Sequence, residues 1–145
     1  MTAQQLVVNV LGGLKPRKQR GKAAHASLPE QIRAGFDYAA LEALQARYQI
    51  PLAQLQVLLD ISDRTLARRR EQKVFSKSES DRLYRVARIA ARAEEVLGSS
   101  PNAARWLKEP QSVLGGETPL SLLDTDEGTQ MVGNILGRIE HGVFS

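Results

Sequence analysis

The chain has 145 residues, of which 42% are hydrophobic and 25% are charged, so its composition is that of a folded globular protein with one or two small domains. It contains no Cys, which excludes disulfides, thiolate nucleophiles, iron–sulfur clusters and cysteine zinc sites. No stretch approaches the roughly 18 apolar residues of a membrane span, and the N-terminus lacks the basic flank of a secretory signal. The expected location is therefore the cytoplasm.

The charged residues are distributed unevenly along the chain. Residues 1–33 contain six Lys or Arg and one Glu, residues 34–90 contain ten basic and seven acidic residues, and residues 91–145 contain four basic and eight acidic residues. The excess of positive charge in the N-terminal part suits binding to a polyanion, whereas the excess of negative charge in the C-terminal part repels one. This charge gradient along the chain indicates two partners of opposite charge, or else it arises by chance in a short sequence.

The first 27 residues form a separate N-terminal segment. Residues 3–11 are apolar enough for a short helix or strand, which the two following glycines would end. Residues 15–22 carry five positive charges and almost no apolar side chains, which predicts a flexible basic arm. The arm is either a solvated linker or a segment that contacts phosphates.

The first predicted helix of the main body covers residues 28–50. Ser27 is a suitable N-cap, and Glu30 stands at the capping-box position. The apolar residues that follow repeat every four positions, as in an amphipathic helix; they are Ile32, Phe36, Ala40, Leu44 and Tyr48. Pro51 prevents continuation of this helix.

The rest of the chain also has helical patterns, separated by Gly, Pro and Ser. The predicted segments are 51–59, 63–72, 78–97, 101–109, 118–123 and a last helix from Thr125 to Gly142. Ser62 or Asp63 is the expected cap of the second of these segments, and Thr125 is the expected cap of the last helix. Gly98 is placed to end the long helix, and the glycines at 115 and 116 predict a turn. No convincing strand is found in the sequence, so the predicted fold class is all-α.

Residues 52–71 have the spacing of a helix–turn–helix unit. Apolar positions on both helices predict a small shared core of Leu55, Leu58, Leu59, Ile61 and Leu66. The second helix would enter the major groove, where Arg can pair with guanine and Thr can touch the thymine methyl group. The predicted DNA-binding residues are Ser62, Arg64, Thr65, Arg68 and Arg69.

Two positions depart from the usual pattern of such units. Gln56 stands where a small residue is common, and Asp60 stands in the turn where Gly is common, although Asp tolerates the left-handed backbone. Arg70 and Lys73 would reach phosphates more naturally than bases. The alternative is a helical hairpin with a solvated basic face. The arginines of the long helix are interpreted as its solvent face; they are Arg82, Arg85, Arg88 and Arg92.

The last third of the chain contains a distinctive series of motifs. Ala103-Ala104-Arg105-Trp106-Leu107 is followed by Leu114-Gly115-Gly116-Glu117-Thr118-Pro119-Leu120 and by a final helix with Gly128, Val132, Leu136 and Arg138-Ile139. In order and spacing they resemble the toxin-binding domain of the MbcA/ParS/Xre antitoxins. The preceding unit resembles the DNA-binding part of the same antitoxins. The resemblance implies an Xre/Cro-like helix–turn–helix domain at residues 28–90, followed by a small helical toxin-binding domain at residues 91–145.

The resemblance also implies a function. Antitoxins of this family pair with a RES-domain toxin, an enzyme that consumes NAD⁺; they block it by direct binding and repress their own operon. A homodimer on operator DNA, within a larger toxin–antitoxin complex, is therefore expected. Trp106, Leu107 and the two glycines are expected to be scaffold residues. The expected toxin contacts lie on the outer face of the last helix and on the tail: Arg138, Glu140, His141, Val143, Phe144 and Ser145.

Catalysis is not indicated by the sequence. There is no P-loop, no GxGxxG motif and no metal-ligand spacing, and neither His has a motif-placed partner. No catalytic residue, cofactor or metal is therefore predicted. The alternative function is that of a helix–turn–helix transcription regulator with another protein partner or a small-ligand sensor domain, although about 55 residues offer little room for a ligand pocket.

Overall fold

In the computed structural model, residues 7, 11 and 27–142 are described. The helices of the described range are Leu28–Ala34 (α1), Tyr38–Tyr48 (α2), Leu52–Leu59 (α3), Asp63–Gln72 (α4), Lys77–Leu97 (α5), Ser100–Lys108 (α6) and Asp126–Glu140 (α7). Two 3-10 turns, Ser112–Leu114 and Leu120–Asp124, lie between α6 and α7. These residues contain no strand, only an isolated bridge between Asp37 and Val74, and the all-α prediction is confirmed.

Two residues of the N-terminal segment are described, and both are buried. Val7 is helical, and the amide of Leu11 donates a hydrogen bond to its carbonyl oxygen at 3.0 Å, which is one helical turn. The predicted helix or strand is therefore helical at Val7, and the other residues of 3–11, except Leu11, lie outside the described residues. The predicted basic arm at residues 15–22 lies outside the described residues.

The prediction of one helix over residues 28–50 is wrong in the middle, where a sharp turn separates α1 from α2. Gly35 has φ 92°, and a Cβ atom there would overlap the carbonyl oxygen of Phe75. The amide of Phe36 donates to the hydroxyl of Ser80 at 2.9 Å, and the amide of Phe75 donates to the carbonyl oxygen of Phe36 at 2.9 Å. These bonds hold the turn against the chain around the start of α5.

Helix α5 begins one residue earlier than predicted because Ser76, not a later serine, is its cap. The hydroxyl of Ser76 accepts from the amide of Glu79, and the carboxylate of Glu79 accepts from the amide of Ser76 at 2.8 Å. This reciprocal pair satisfies two backbone donors of the first turn. Gly98 ends the helix in the left-handed conformation, as predicted.

Helix α5 is shared by the two halves of the chain. Helices α1, α2 and α3 pack against it from one half, and α6 and α7 pack against it from the other. The predicted boundary between residues 90 and 91 falls inside this helix, where Ala87, Ala90 and Ala91 are buried. The core residues of both halves belong to one continuous cluster. Within the described range, no helix has the length and apolar character needed to cross a bilayer.

The last helix is positioned by a cap and by its packing against the preceding turn. The hydroxyl of Thr125 accepts from the amide of Gly128 at 3.0 Å, which is the predicted cap. Gly128 is buried against the backbone of Leu122. Leu107 is fully buried and Trp106 packs partly buried against the same core, as expected for scaffold residues.

Polar side chains join α2 to α5 and α6. Glu94 accepts from Nε of Arg47 at 2.8 Å and from the hydroxyl of Tyr48 at 2.7 Å. The hydrogen bond from Arg47 outweighs burial and holds the pKa of Glu94 below its ordinary value. Lys108 donates to the carbonyl oxygens of Tyr48 and Gln49 at 3.2 and 2.8 Å, which satisfies the C-terminal end of α2.

Candidate DNA-facing and partner-facing surfaces

Helices α3 and α4 form the predicted helix–turn–helix unit. Asp60 ends α3 with φ 56°, so the turn forms in the left-handed conformation that Gly usually supplies. Ser62 caps α4, because its hydroxyl accepts from the amide of Thr65 at 3.1 Å. The predicted core is confirmed: Ile61 is partly buried, and the fully packed members are Leu55, Leu58, Leu59 and Leu66.

Arg64 and Arg68 are exposed and lie one helical turn apart on α4. Thr65 is half-buried, and its hydroxyl accepts from the hydroxyl of Ser62 at 3.1 Å. Ser62 and Thr65 therefore fix the start of the helix that presents the two arginines. Four of the five residues predicted to bind DNA therefore lie at the start of α4 or one turn further along it: Ser62, Arg64, Thr65 and Arg68.

Arg69 does not fit the expected role, because its side chain is held against the protein. Its Nε and Nη2 donate to the two carboxylate oxygens of Glu79 at 2.6 and 3.1 Å, and the two side chains are only 18% and 6% exposed. Burial alone would raise the pKa of Glu79, but hydrogen bonds from Arg69 and Ser76 bring it below its ordinary value. The ion pair fastens α4 to the capped start of α5.

Arg70 and Lys73 lie at the C-terminal end of α4. The guanidinium of Arg70 is 5.6 Å from the ring centroid of Tyr38 and donates to the Tyr38 hydroxyl at 3.3 Å. Lys73 is exposed and ends the helix with φ 65°. Both positive charges remain at the surface, with Arg70 packed against α2.

The arginines of α5 are not simply a solvent face. Arg82 donates to the carbonyl oxygen of Leu59 at the end of α3, at 3.3 Å. Arg85 donates to the carbonyl oxygen of Leu123 at 3.2 Å and to Asp126 at 2.7 Å. These side chains connect the helix–turn–helix unit and the start of α7 to the same central helix.

Glu140, one of the expected toxin contacts, is engaged within the chain. Its two oxygens accept from the guanidinium of Arg92 at 2.8 and 2.6 Å, and Arg92 also pairs with Glu95 at 2.9 Å. The hydrogen bonds from Arg92 hold the pKa of Glu140 below its ordinary value. The pair therefore positions the C-terminal end of α7 against α5.

The other described residues of the expected toxin-binding set are exposed. Arg138 lies on the exposed side of α7. The side chain of His141 is 75% exposed, with Nε2 3.7 Å from a carboxylate oxygen of Glu140. The tail residues of that set, Val143, Phe144 and Ser145, lie outside the described residues.

The outward face of α7 has features that the sequence analysis did not single out. Met131 is 43% exposed, although a methionine in an amphipathic helix usually indicates core. At Gly137 on the same helix, a Cβ atom would meet no other atom. An exposed methionine suits contact with another protein, since methionine adapts its shape to a partner.

The two surfaces differ in what they can bind. Guanidinium groups on α4 can pair with phosphates or with guanine, whereas the α7 face offers apolar and polar contacts to a protein. Within the described range, no group of three or more His, Cys, Asp or Glu side chains could hold a metal ion.

Comparison with protein families matches both halves of the chain, in the order given by the resemblance. Residues 27–88 match the antitoxin Xre-like helix–turn–helix domain. Residues 92–142 match the C-terminal toxin-binding domain of the Xre/MbcA/ParS antitoxins. The first match contains α1 to α4 and most of α5, and the second begins within α5 and contains α6 and α7.

The curated relatives of the chain are also named antitoxins. The chain is 34% identical over 120 residues to Antitoxin Xre of Yersinia enterocolitica, with 81% of each chain covered. It is 42% identical over 80 residues to Antitoxin Xre of Pseudomonas putida, covering 54% of this chain and 50% of that one. It is also 30% identical over 80 residues to the Prs ADP-ribosylating antitoxin of a Sphingobium species, covering 49% of this chain and 50% of that one.

Proposed function

The chain belongs to the Xre antitoxin family, and on that premise we propose that it inhibits a RES-domain toxin that consumes NAD⁺ and represses its own operon. The observation that carries the proposal is the tandem match to a helix–turn–helix domain and a toxin-binding domain within one chain. In this proposal the chain itself is not a catalyst. The chain is proposed to act in the cytoplasm.

The name of the Sphingobium relative supports the choice of toxin. That protein is named the Prs ADP-ribosylating antitoxin, and ADP-ribosylation draws its ADP-ribose from NAD⁺. A toxin that uses NAD⁺ is therefore consistent with this relative. A cleft for NAD⁺ must accommodate phosphates, which favours basic groups or helix N-termini. The acidic balance of residues 91–145, eight acidic against four basic residues, is complementary to such a cleft.

The helix–turn–helix half acts in this proposal as a homodimer on operator DNA. Arg64 and Arg68 are exposed basic side chains on α4, and Arg70 and Lys73 place further charge at its C-terminal end. A single unit reads only a few base pairs, so two half-sites about 34–36 Å apart are expected. The basic arm at residues 15–22 would add phosphate contacts.

We predict that Arg68→Ala weakens binding to the operator by about 1–3 kcal/mol and relaxes one operator position. The exposed Arg68 makes no contribution to the buried core, so the fold should be retained. The measurement is a titration of labelled operator, with thermal unfolding as the check on folding. Arg105→Ala is the matched control, because it removes the same charge from an exposed position on α6. Unchanged affinity and footprint for Arg68→Ala remove this residue from base readout.

The toxin-binding half is proposed to use the outward face of α7 and the tail. Arg138 and His141 lie on the exposed side, and Met131 adds an apolar contact. Glu140 acts through its ion pair with Arg92, which sets the angle of the helix end at the rim of the toxin. The tail, Val143 to Ser145, would enter the NAD⁺ cleft.

We predict that deleting residues 143–145 restores NAD⁺ consumption by the toxin while the complex still forms. The tail would then act as a plug, and α7 would hold the complex together. The measurement is NAD⁺ turnover by purified toxin, with complex formation followed by size-exclusion chromatography. Full inhibition by the shortened chain would show that the tail is dispensable.

In the same assay, Met131→Asp tests the α7 face. Val57→Asp on α3 is the control, because it changes an exposed apolar side chain of the other half.

A further inference from the structure

The DNA-facing end of the helix–turn–helix unit carries carboxylates as well as arginines. Asp60 in the turn and Asp63 at the first position of α4 are both exposed. DNA presents one negative charge for every phosphate, so a carboxylate at this position opposes binding to any sequence. An acidic side chain at the base-reading end of a recognition helix therefore needs a compensating contact.

Asp63 is held in place by the residue that departs from the usual helix–turn–helix pattern. The amide nitrogen Nε2 of Gln56 on α3 donates to Oδ1 of Asp63 at 2.6 Å. The two side chains line the same open cleft of about 410 Å³ between α3 and α4. A small residue at position 56 could not make this bond. The departure at Gln56 thus fixes the carboxylate of Asp63 at the start of α4.

We propose that Asp63 is a specificity residue that reads a cytosine, and that Gln56 is its positioning residue; this rests on the proposed DNA-binding function. Asp63 lies next to the exposed Arg64, at the end of the helix that enters the major groove. An ionised carboxylate only accepts hydrogen bonds. Cytosine presents the N4 amino group as a donor, whereas guanine presents N7 and O6 and thymine presents O4, all acceptors.

The carboxylate also discriminates against adenine. Adenine presents the N7 acceptor beside its N6 donor, and this pair matches a side-chain amide, which has both a donor and an acceptor. A carboxylate facing adenine would place its negative charge close to N7. Asp63→Asn should therefore change the preferred base from cytosine to adenine, as well as remove a charge that opposes DNA binding.

The test is selection of bound sequences from randomised duplexes by the full chain, followed by competition titrations. For the unaltered chain we expect one position in each half-site at which cytosine is preferred about tenfold, equivalent to about 1.4 kcal/mol. Asp63→Asn should lose this preference in favour of adenine and bind unrelated duplexes more tightly. Asp60→Asn is the matched control, because Asn also tolerates the left-handed turn. It should bind all duplexes more tightly and keep the cytosine preference.

The positioning role of Gln56 is tested separately, by the base preference of a Gln56 variant. Gln56→Met keeps the net charge and the side-chain length but removes the donor to Asp63. It should weaken the cytosine preference several-fold while the affinity for unrelated duplexes and the melting temperature stay unchanged. An unaltered preference in Gln56→Met would refute the positioning role.

The outcomes separate this inference from the function on which it rests. If the unaltered chain selects no sequence, the proposed DNA-binding function fails. If it selects a sequence that Asp63→Asn also selects unchanged, or one without a preferred cytosine, the role of Asp63 is overturned and DNA binding stands. A change from cytosine to adenine in Asp63→Asn alone supports the inference.

Discussion

Gly128→Ala is expected to destabilise the fold by about 3 kcal/mol, whereas Gly137→Ala on the same helix should stabilise it by about 0.5–1 kcal/mol. A Cβ atom at position 128 would overlap the carbonyl oxygen of Leu122, while one at position 137 would meet nothing. The overlapped atom belongs to the backbone between the buried Leu120 and Leu123, so it cannot move aside without disturbing the core.

The measurement is urea unfolding of both variants and the unaltered chain. Gly137→Ala is the matched control, because it makes the same chemical change in the same helix without the close contact. The expected gain in the stability of Gly137→Ala arises because Gly in a helix interior loses more backbone freedom on folding than Ala. Equal shifts for the two variants would contradict the packing of α7 against the turn Leu120–Asp124.

Arg69→Ala is expected to destabilise the fold by about 3 kcal/mol at neutral pH. The change leaves the carboxylate of Glu79, only 6% exposed, without its charged partner, and an unpaired buried charge is strongly unfavourable. Loss of DNA binding in this variant would follow from the loosened attachment of α4 to α5, not from a lost base contact. In the background of Glu79→Gln the same change should have a much smaller effect, since no charge is then left unpaired.

The effect of Arg69→Ala should also depend on pH. In the unaltered chain, the folded pKa of Glu79 lies below its ordinary value of 4.5, so the contribution of the pair to stability is present above that value and is lost as pH falls through the folded pKa. Without Arg69, burial is opposed only by the hydrogen bonds from Ser76, so the folded pKa of Glu79 is higher than in the unaltered chain and its contribution to stability at neutral pH is smaller. The difference between the two chains should therefore be larger at pH 7 than near pH 4. A difference in stability between the two chains that does not change with pH would contradict the ion pair between Arg69 and Glu79.

The comparison of Arg68 with Arg69 shows what a sequence pattern cannot distinguish. The two residues are adjacent, chemically identical and equally suited to DNA on a helical projection. Their roles differ because Glu79 lies ten positions beyond Arg69 and packs beside it only after α4 turns back towards α5. The ion pair between Arg92 and Glu140 spans 48 positions and is hidden from local patterns for the same reason.

The turn at Gly35 illustrates the same limit for secondary structure. The apolar spacing from Ile32 through Phe36 to Ala40 continues across the turn without interruption, so periodicity indicates one helix. The interruption comes from the backbone around Phe75, which approaches Gly35 too closely for a side chain. Local signals were sufficient elsewhere: Thr125 caps its helix and Gly98 ends its helix as predicted, and Ser62 is the one of two candidate caps that is used, because a cap depends only on residues a few positions away.

The central claim is that one chain carries two separable activities, inhibition of an NAD⁺-consuming toxin and binding of operator DNA. The most direct measurement is NAD⁺ turnover by the proposed RES-domain partner toxin, with and without an equimolar amount of the chain. Operator binding is measured on the same preparations. The account predicts that the unaltered chain stops turnover and binds the operator, and that Arg68→Ala stops turnover equally well while binding the operator about tenfold or more weakly. Undiminished NAD⁺ turnover in the presence of the unaltered, folded chain would contradict the account.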